Sequence, residues 1–192
     1  HGLTAMQFTG LWTLPDLHST EYFTLTEQAG GYRLQGTINL LLDDQPTQLV
    51  YRIECDADWI TRRAELQQRR SDGEKRLILT VDDALNWYQD GAPLPWAVGL
   101  TDIDLSITPS TNTLPLRQHN LQIGATRTVN CVWVQPPDLS LGTLPQRYTR
   151  IDARRYDYAA PSIDYAGMLI VDDDGIIVRY GDLWSQPGHS SD

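Results

Sequence analysis

Cysteine, phenylalanine and histidine are scarce in this chain of 192 residues, which has two Cys, two Phe and four His. Two cysteines cannot build the framework of several disulfides that stabilises small secreted domains, and whether Cys55 and Cys131 pair is left open. Only His18 and His119 lie away from the ends of the chain. A histidine-based metal site or catalytic triad is therefore not expected, and the sequence predicts neither a metal nor a cofactor.

A long hydrophobic run and an excess of positive charge are also missing. A membrane-spanning helix needs about 20 apolar residues, whereas the densest runs here are as short as residues 176–178. The formal net charge is -10, and a negative field repels phosphate backbones, so nucleic acid is not an expected partner. Residues 1–6 lack the basic and apolar regions of a secretory signal, which favours a cytoplasmic location.

An alternation of apolar and polar residues runs through most of the chain and predicts β-strands, because alternate side chains of a strand point to opposite faces. An Asp-Gly turn at residues 172–175, between two apolar runs, predicts a hairpin. Segments predicted to be extended are residues 21–27, 32–42, 48–55, 59–68, 76–81, 101–108, 126–134, 147–152, 154–158, 163–171 and 176–180. On propensity alone, residues 62–68 could also be helical.

These short strands and turns predict a mainly β fold with little helix. We expect a single domain over residues 1–192, in which a curled antiparallel sheet forms a barrel or half-barrel. Such a sheet tends to enclose a cavity or groove, where a ligand would bind. Residues 109–116 are predicted to hold one helical turn, and residues 186–192 to be frayed.

The sequence has no recognisable catalytic motif, but it does have two pairs of aspartates. Asp102 and Asp104 have the spacing that places two side chains on one face of a strand, and Asp56 and Asp58 have the same spacing. Close carboxylates can perform acid–base chemistry, as in glycoside hydrolysis. They can equally accept hydrogen bonds from turn amides at strand ends. An enzyme acting on a glycoside or another small molecule is therefore an alternative, and a non-enzymatic protein is favoured.

Tryptophan and tyrosine are abundant, with six and nine residues. Both combine an apolar ring with a polar group, which suits core positions and also surfaces that stack on sugars. Trp59 and Trp87 adjoin polar turns and are predicted to lie near the mouth of a cavity.

Residues 99–121 carry the most specific pattern in the chain. Asp-Ile-Asp-Leu at residues 102–105, Thr-Pro at 108–109 and Thr-Asn-Thr-Leu-Pro-Leu-Arg at 111–117 resemble the signature of the putative glycolipid-binding family, a bacterial domain of unknown function. The resemblance extends over roughly residues 12–184, with further blocks at residues 51–53, 58–62, 87–91, 146–149, 156–158 and 171–180. The chain departs from the family at Ser110, where an aromatic residue is usual, and at Gln118-His119, which replaces Arg-Leu.

The resemblance implies a curled β-sheet similar to that of bacterial lipoprotein carriers, and the binding of a glycolipid or similar amphiphile without catalysis. Thr111 and Asn112 would suit hydrogen bonds to a sugar headgroup. Arg117 would pair with a phosphate or carboxylate of the ligand, or with Asp102 or Asp104 of the protein itself. Alternatively, this block is a buried irregular segment whose polar groups satisfy one another. A protein–protein interaction module is a further alternative, and the oligomeric state is left open. The predicted ligand-binding residues are Trp59, Arg62, Trp87, Asp102, Asp104, Thr111, Asn112, Arg117 and Tyr148.

Overall fold

The computed structural model describes residues 6–191, with side chains up to residue 188. This part of the chain forms fifteen β-strands and one short α-helix, α1 (Thr113–His119). The strands are β1 (Gln7–Leu14), β2 (Ser19–Gln28), β3 (Gly31–Leu42), β4 (Gln45–Asp56), β5 (Thr61–Arg70), β6 (Gly73–Val81), β7 (Trp87–Gln89), β8 (Ala92–Pro93), β9 (Asp102–Asp104), β10 (Thr126–Gln135), β11 (Ser140–Arg150), β12 (Arg155–Ala160), β13 (Tyr165–Val171), β14 (Ile177–Tyr180) and β15 (Trp184–Ser191).

The chain divides into two compact units. The first unit contains the residues up to Gly99 and those from Gln186 onward, and the second unit contains Leu100–Ser185. Strand β15 begins in the second unit and continues into the first. A single domain over residues 1–192 stays a prediction.

In the first unit, strands β1 to β8 form an antiparallel ladder in chain order, and β15 lies beside β1. The longest hairpin joins β3 to β4 through Asp43 and Asp44, which both have positive φ angles, of 50° and 57°. Two consecutive positive φ angles form the hairpin turn whose twist matches that of the strands, and Asp tolerates this conformation. The turn thereby fixes the register of both strands.

The inner face of the first unit is apolar and tightly packed. Burial alternates along most of its longer strands, as in β4, where Leu49, Tyr51 and Ile53 alternate with exposed or half-exposed residues. Tyr51 lies across Gly36, its partner in the register, and donates a hydrogen bond of 2.9 Å to Oε2 of buried Glu21. A Cβ atom at Gly36 would lie only 2.3 Å from the Tyr51 ring, so this glycine provides the space that the ring occupies.

The second unit is a ladder in the order β14-β13-β12-β11-β10-β9, and the strands pair antiparallel except for β9, which is parallel to β10. Between β9 and β10 the chain forms a 3-10 turn (Ser110–Asn112) and α1, so the predicted helical turn at residues 109–116 is confirmed. The predicted hairpin at residues 172–175 is also present. Its turn forms because Oδ1 of Asp172 accepts hydrogen bonds from the amides of Asp174 and Ile176.

The predicted fold class, mainly β with a curled antiparallel sheet and little helix, is confirmed, and neither ladder closes on itself among the described residues. Residues 186–192 were predicted to be frayed. This prediction is wrong for the residues up to Ser191, because they belong to strand β15 beside β1. Residue 192 lies outside the described part. Cys55 and Cys131 are both buried and do not form a disulfide with each other. In residues 6–191 there is no helix with the length and apolar character needed to span a membrane.

Candidate functional site

The nine predicted ligand-binding residues are divided between the two units. Trp59, Arg62 and Trp87 belong to the first unit. The other six belong to the second unit: Asp102, Asp104, Thr111, Asn112, Arg117 and Tyr148.

In the first unit, Trp59 and Arg62 are held by the turn that follows β4. Oδ1 of Asp56 accepts hydrogen bonds from the amides of Asp58 and Ile60, at 2.9 and 3.0 Å, so Asp56 caps this turn. Trp59 has a positive φ of 66° and stacks on Tyr32 with ring centroids 3.7 Å apart. The indoles of Trp59 and Trp87 are both buried rather than open to solvent.

The Arg62 guanidinium lies 2.7 Å from Oδ2 of Asp56 and also donates a hydrogen bond of 2.8 Å to the carbonyl of Asp82. It thus connects the turn after β4 with the turn after β6. Both charged side chains are roughly a quarter exposed, at 28% and 26%, so solvent screens the pair only in part.

Replacing Arg62 with Ala should destabilise the first unit by about 1 to 1.5 kcal/mol, because a charge-assisted contact and a carbonyl hydrogen bond are lost together. Arg69→Ala is the matched control, since its ion pair with Glu74 is 57% exposed on both sides and should contribute less than about 0.5 kcal/mol. Urea unfolding of the two variants measures the difference. Equal losses in both variants would contradict the structural role of Arg62.

In the second unit, a chain of buried hydrogen bonds runs across the inner face of the sheet. Gln146 donates from Nε2 to Oδ2 of Asp104 at 2.9 Å, and the hydroxyl of Tyr148 donates to Oε1 of Gln146 at 3.0 Å. The amide of Asn112 in turn donates to the Tyr148 hydroxyl at 2.9 Å. We call Asp102, Asp104, Thr111, Asn112, Gln146 and Tyr148 the polar cluster; all six side chains are buried.

The architecture of the second unit explains how the polar cluster forms. Asp102 and Asp104 lie on one face of β9, as their spacing predicts, and the parallel register places them opposite Cys131 and Trp133 of β10. Gln146 and Tyr148 have the same spacing of two on β11, which pairs with the other edge of β10. The 3-10 turn after β9 supplies Thr111 and Asn112.

Two oxygen atoms of the polar cluster have no hydrogen-bond partner within the described residues: Oδ1 of Asp102 and Oγ1 of Thr111. The other carboxylate oxygen of Asp102 lies 3.4 Å from the Thr101 hydroxyl, which is also 3.0 Å from Oε1 of Gln118. A hydroxyl has one proton and cannot donate to both acceptors. Thr101 and Gln118 are half-buried, whereas Asp102 is buried.

Burial changes the acidity of these groups. Removal from water raises the pKa of Asp102 from 3.8 to about 7, and the Thr101 hydroxyl opposes this shift only weakly. Burial also raises the pKa of Asp104, although the amide of Ser106 and the side chain of Gln146 donate to it. The pKa values of Cys131 and Tyr148 are raised for the same reason. The cluster therefore holds a carboxyl group that can gain or lose a proton near neutral pH.

A row of aromatic rings continues from the polar cluster along the sheet. Tyr148 and Tyr158 have ring centroids 5.1 Å apart, Tyr158 and Tyr180 are 5.5 Å apart, and Tyr180 and Trp184 are 4.9 Å apart. Tyr165 packs on Tyr158 and Tyr180, and it is half-buried where the other four rings are buried. This row, Tyr148, Tyr158, Tyr165, Tyr180 and Trp184, combines ring faces with hydroxyl groups.

Helix α1 positions Arg117 against the hairpin at residues 172–175. Oγ1 of Thr113 donates a hydrogen bond of 3.2 Å to the carbonyl of Gly175, and a Cβ atom at Gly175 would lie 3.3 Å from Cδ of Arg117. The Arg117 side chain is half-buried.

Three open depressions lie on the outer surfaces of the units. One of about 360 Å³ lies over β4, β5 and β6 in the first unit. Two others, of about 540 and 520 Å³, lie side by side in the second unit and share Ala166, Gly167 and Met168. None of the nine predicted ligand-binding residues lines these three depressions, so a ligand of the polar cluster would have to enter elsewhere.

Several residues around the polar cluster were not predicted from the sequence: Thr101, Gln118, Gln146, Tyr158, Tyr165 and Tyr180. Gln146 and Tyr148 are two residues apart on one strand, so their side chains lie on the same face. This spacing does not indicate a contact with β9. The tyrosines were part of the aromatic excess, and only their pairing in the ladder brings the rings together.

Comparison with known proteins places the chain in a family. A crystal structure of a DUF1089 family protein from Pseudomonas aeruginosa is similar, with a TM-score of 0.80 and 29% sequence identity; the match covers 87% of this chain and 91% of that one. No curated protein matches the chain. The family model described as "Putative glycolipid-binding" matches residues 9–186, which include the polar cluster and the aromatic row. The chain therefore belongs to the putative glycolipid-binding family.

Proposed function

We propose that this protein binds a glycolipid or a similar amphiphile without catalysis, and that the polar cluster of the second unit recognises the headgroup. The observation that carries the proposal is the pair of buried oxygens without partners, Oδ1 of Asp102 and Oγ1 of Thr111, beside a chain of satisfied hydrogen bonds. A buried polar atom without a partner costs about 1 to 3 kcal/mol. A ligand hydroxyl that donates to Asp102 would offset that cost.

The chemistry of the cluster suits a sugar better than it suits an ion. The chain of hydrogen bonds that links Asp104 to Asn112 contains carboxyl, amide and hydroxyl groups, which include both donors and acceptors. The aromatic row adds ring faces on which a sugar ring or an acyl chain packs. Each methylene buried there would contribute about 0.8 kcal/mol.

Access to the cluster would require a local movement. The Thr101 hydroxyl, which contacts Asp102, also forms a 3.0 Å hydrogen bond with Gln118, and this bond joins two half-buried side chains rather than two backbones. Rotation of the Gln118 side chain would break it without breaking a strand pairing. Tyr165 is the half-buried ring of the aromatic row and packs on Tyr158 and Tyr180.

Calorimetric titration of the full chain with octyl glucoside, below the concentration at which it forms micelles, tests the proposal. We expect binding that free glucose does not reproduce. Asp102→Asn should weaken binding about tenfold, because a neutral amide is a poorer acceptor for a sugar hydroxyl than a carboxylate. Asp157→Asn, an exposed aspartate on the outer face of β12, is the matched control and should bind normally.

Absence of binding to octyl glucoside and to octyl galactoside, combined with no lipid in extracts of freshly purified protein, would overturn the proposed function. Equal weakening in the Asp102 and Asp157 variants would instead reject the polar cluster as the headgroup site.

Acid–base catalysis on a glycoside is a second candidate, favoured by one observation. Asp102 has a pKa of about 7, which suits a general acid at neutral pH, and Asp104 lies on the same face of β9. Release of nitrophenol from nitrophenyl glycosides, abolished in both Asp102→Asn and Asp104→Asn, would establish this alternative. A binding protein would release none, and the two variants would still bind the alkyl chain.

A further inference from the structure

The apolar loop, residues 91–99, is unlike the rest of the chain in composition. Its sequence is Gly-Ala-Pro-Leu-Pro-Trp-Ala-Val-Gly, in a protein of which 21% is charged. The indole of Trp96 is the one side-chain hydrogen-bonding group in this segment. The loop lies entirely within the first unit; it includes the two-residue strand β8, which pairs with β7, and it ends at Gly99, where the first unit gives way to Leu100 of the second.

Backbone hydrogen bonds hold the apolar loop in one shape. The amide of Leu94 donates to the carbonyl of Trp87 at 2.8 Å, the amide of Ala97 donates to Leu94 at 3.0 Å, and the amide of Gly99 donates to Leu85 at 2.9 Å. Ala97 is fully buried and anchors the 3-10 turn (Pro95–Ala97). The loop is therefore pinned at its base.

The residues on either side of that anchor project into solvent. Trp96 is 44% exposed and Val98 is 53% exposed. Ala92, Pro93 and Pro95 are exposed as well, and Leu94 is half-buried. Exposed apolar residues are normal when scattered singly, but a contiguous group of them marks an interaction site.

The chemistry of this group fits a lipid surface better than a protein surface. A protein interface carries several hydrogen bonds, which require polar side chains or free backbone groups. Apart from the indole, the side chains of the apolar loop offer none, and Pro93 and Pro95 also lack an N–H. Tryptophan, with its apolar ring and single N–H, is the residue that collects at the boundary between lipid headgroups and acyl chains.

The charges around the loop indicate which lipids it would meet. Asp82, Asp83 and Asp90 flank it on the neighbouring turns, and the side chain of Asp83 is fully exposed. The nearest cation to Asp83 is Arg62, at 4.0 Å, and its charge is already paired with Asp56 at 2.7 Å. Among the described residues of these turns, residues 82–86 and 89–91, the charged side chains are all carboxylates. An anionic membrane would therefore repel this surface, whereas a membrane of zwitterionic lipid would not.

We propose that the apolar loop docks the protein on the surface of an uncharged or zwitterionic lipid bilayer, with Trp96 and Val98 inserted at the headgroup level. The docking site shares no residue with the polar cluster and needs no glycolipid in the membrane. Lipid burial of two partly exposed side chains gives weak and reversible attachment, as for other single interfacial anchors.

Sedimentation of the full chain with phosphatidylcholine vesicles that lack glycolipid tests the docking site. We expect the wild-type protein to bind at millimolar lipid, and Trp96→Ser combined with Val98→Ser to bind about tenfold more weakly. Vesicles containing phosphatidylglycerol should bind less protein than pure phosphatidylcholine. Ile123→Ser is the control, because Ile123 is 64% exposed but lies outside the apolar loop.

Three results would overturn the docking proposal: no binding of wild type at millimolar lipid, equal binding by the double variant, or equal loss in the Ile123 control. Light scattering after size-exclusion chromatography adds a fourth. If the double variant changes the oligomeric state of the protein, the loop joins copies of the chain instead. Circular dichroism of the double variant confirms that it folds, as substitution of exposed side chains should allow.

Discussion

Replacing Asp102 with Asn is expected to stabilise the protein by up to about 4 kcal/mol at pH 8. The carboxyl is buried with one oxygen unpartnered, and its pKa is raised from 3.8 to about 7. Each unit of such a shift corresponds to about 1.4 kcal/mol of stability. Asparagine has nearly the same shape and carries no charge, so the cost of ionising a buried group disappears while the packing remains.

The same shift predicts how stability depends on pH. Below pH 3.8 the carboxyl is protonated in both the folded and the unfolded chain. Between about pH 4 and 7 the unfolded chain loses the proton and the folded chain keeps it, so Asp102 lowers the stability of the folded state as pH rises through this window. Above pH 7 the loss is complete. Asp104 has a raised pKa as well and contributes a fall in the same direction.

Urea unfolding of the wild type and of Asp102→Asn at several pH values between 4 and 8 measures this effect. The stability curves should diverge as pH rises, with the variant the more stable. Asp104→Asn is an informative contrast, because both of its oxygens already accept hydrogen bonds, from Ser106 and Gln146. In Asp104→Asn, the new NH2 group would face the Nε2 donor of Gln146, and the lost hydrogen bond would lower the stability by about 1 to 3 kcal/mol. If the stability of wild type and of Asp102→Asn changed in parallel with pH, the raised pKa of Asp102 in the folded state would be refuted.

Gly31→Ala should destabilise the first unit by more than about 3 kcal/mol, which is a large fraction of the stability of a typical protein. A Cβ atom at Gly31 would lie 1.9 Å from the carbonyl oxygen of Cys55 and 2.9 Å from two backbone atoms of Asp56. These are backbone atoms of the paired strand β4, so no side-chain rotation relieves the clash. The end of β3 would have to separate from β4.

Gly142→Ala is the matched control for this effect, since Gly142 also lies in a strand, β11. The nearest atom to a Cβ there is the side-chain nitrogen of Gln135, at 3.9 Å. Its stability should change by less than about 0.5 kcal/mol. Gly36→Ala should also destabilise, because the Tyr51 ring would have to leave its place. Thermal unfolding of the three variants ranks them, and a Gly31 variant as stable as the Gly142 variant would contradict the close approach of β3 and β4.

The strands were predictable because burial alternates with the same period as the sequence. In β4, buried Leu49, Tyr51 and Ile53 alternate with outer residues that are polar or charged except for Val50, so the pattern identifies this strand. In β5 the buried residues include the polar Thr61 and Gln68, so the pattern is weaker. In β1, Phe8 and Trp12 point inward, but exposed Leu11 and the small Gly10 blur the alternation, and this strand was missed. The register of neighbouring strands then decides which side chains meet, and a single sequence does not encode it visibly.

The candidate site was only half predictable for this reason. The spacing of Asp102 and Asp104 implied a shared face, and the structure has them on one face of β9. The hydrogen bond from Gln146 to Asp104 joins two strands on either side of β10, and β9 is parallel to β10, an exception within an antiparallel ladder. The Asp56 and Asp58 pair had the same spacing, but Asp58 belongs to the turn that Asp56 caps. Equal spacing therefore led to two different structures.

Asp102 connects stability with the proposed function. The buried carboxyl of Asp102 lowers the stability of the folded state above pH 4, and Asn in its place would remove this loss. Asp102 is therefore an unfavourable residue for a core. Binding sites commonly contain such residues, because groups prepared for a ligand are not satisfied by the protein itself. The pH series and the octyl glucoside titration together test this trade-off, since one variant should gain stability and lose affinity.

Strand β15 makes the first unit discontinuous in the chain. Its neighbour β1 is translated before β15, and thirteen other strands lie between the two in the sequence. Until β15 is made, β1 presents a free edge to other nascent chains, and such edges recruit strands from neighbouring molecules. Premature termination just before Gln186 would thus leave the earlier strand β1 with an unpaired edge, and a chaperone that shields β1 would be most needed during elongation.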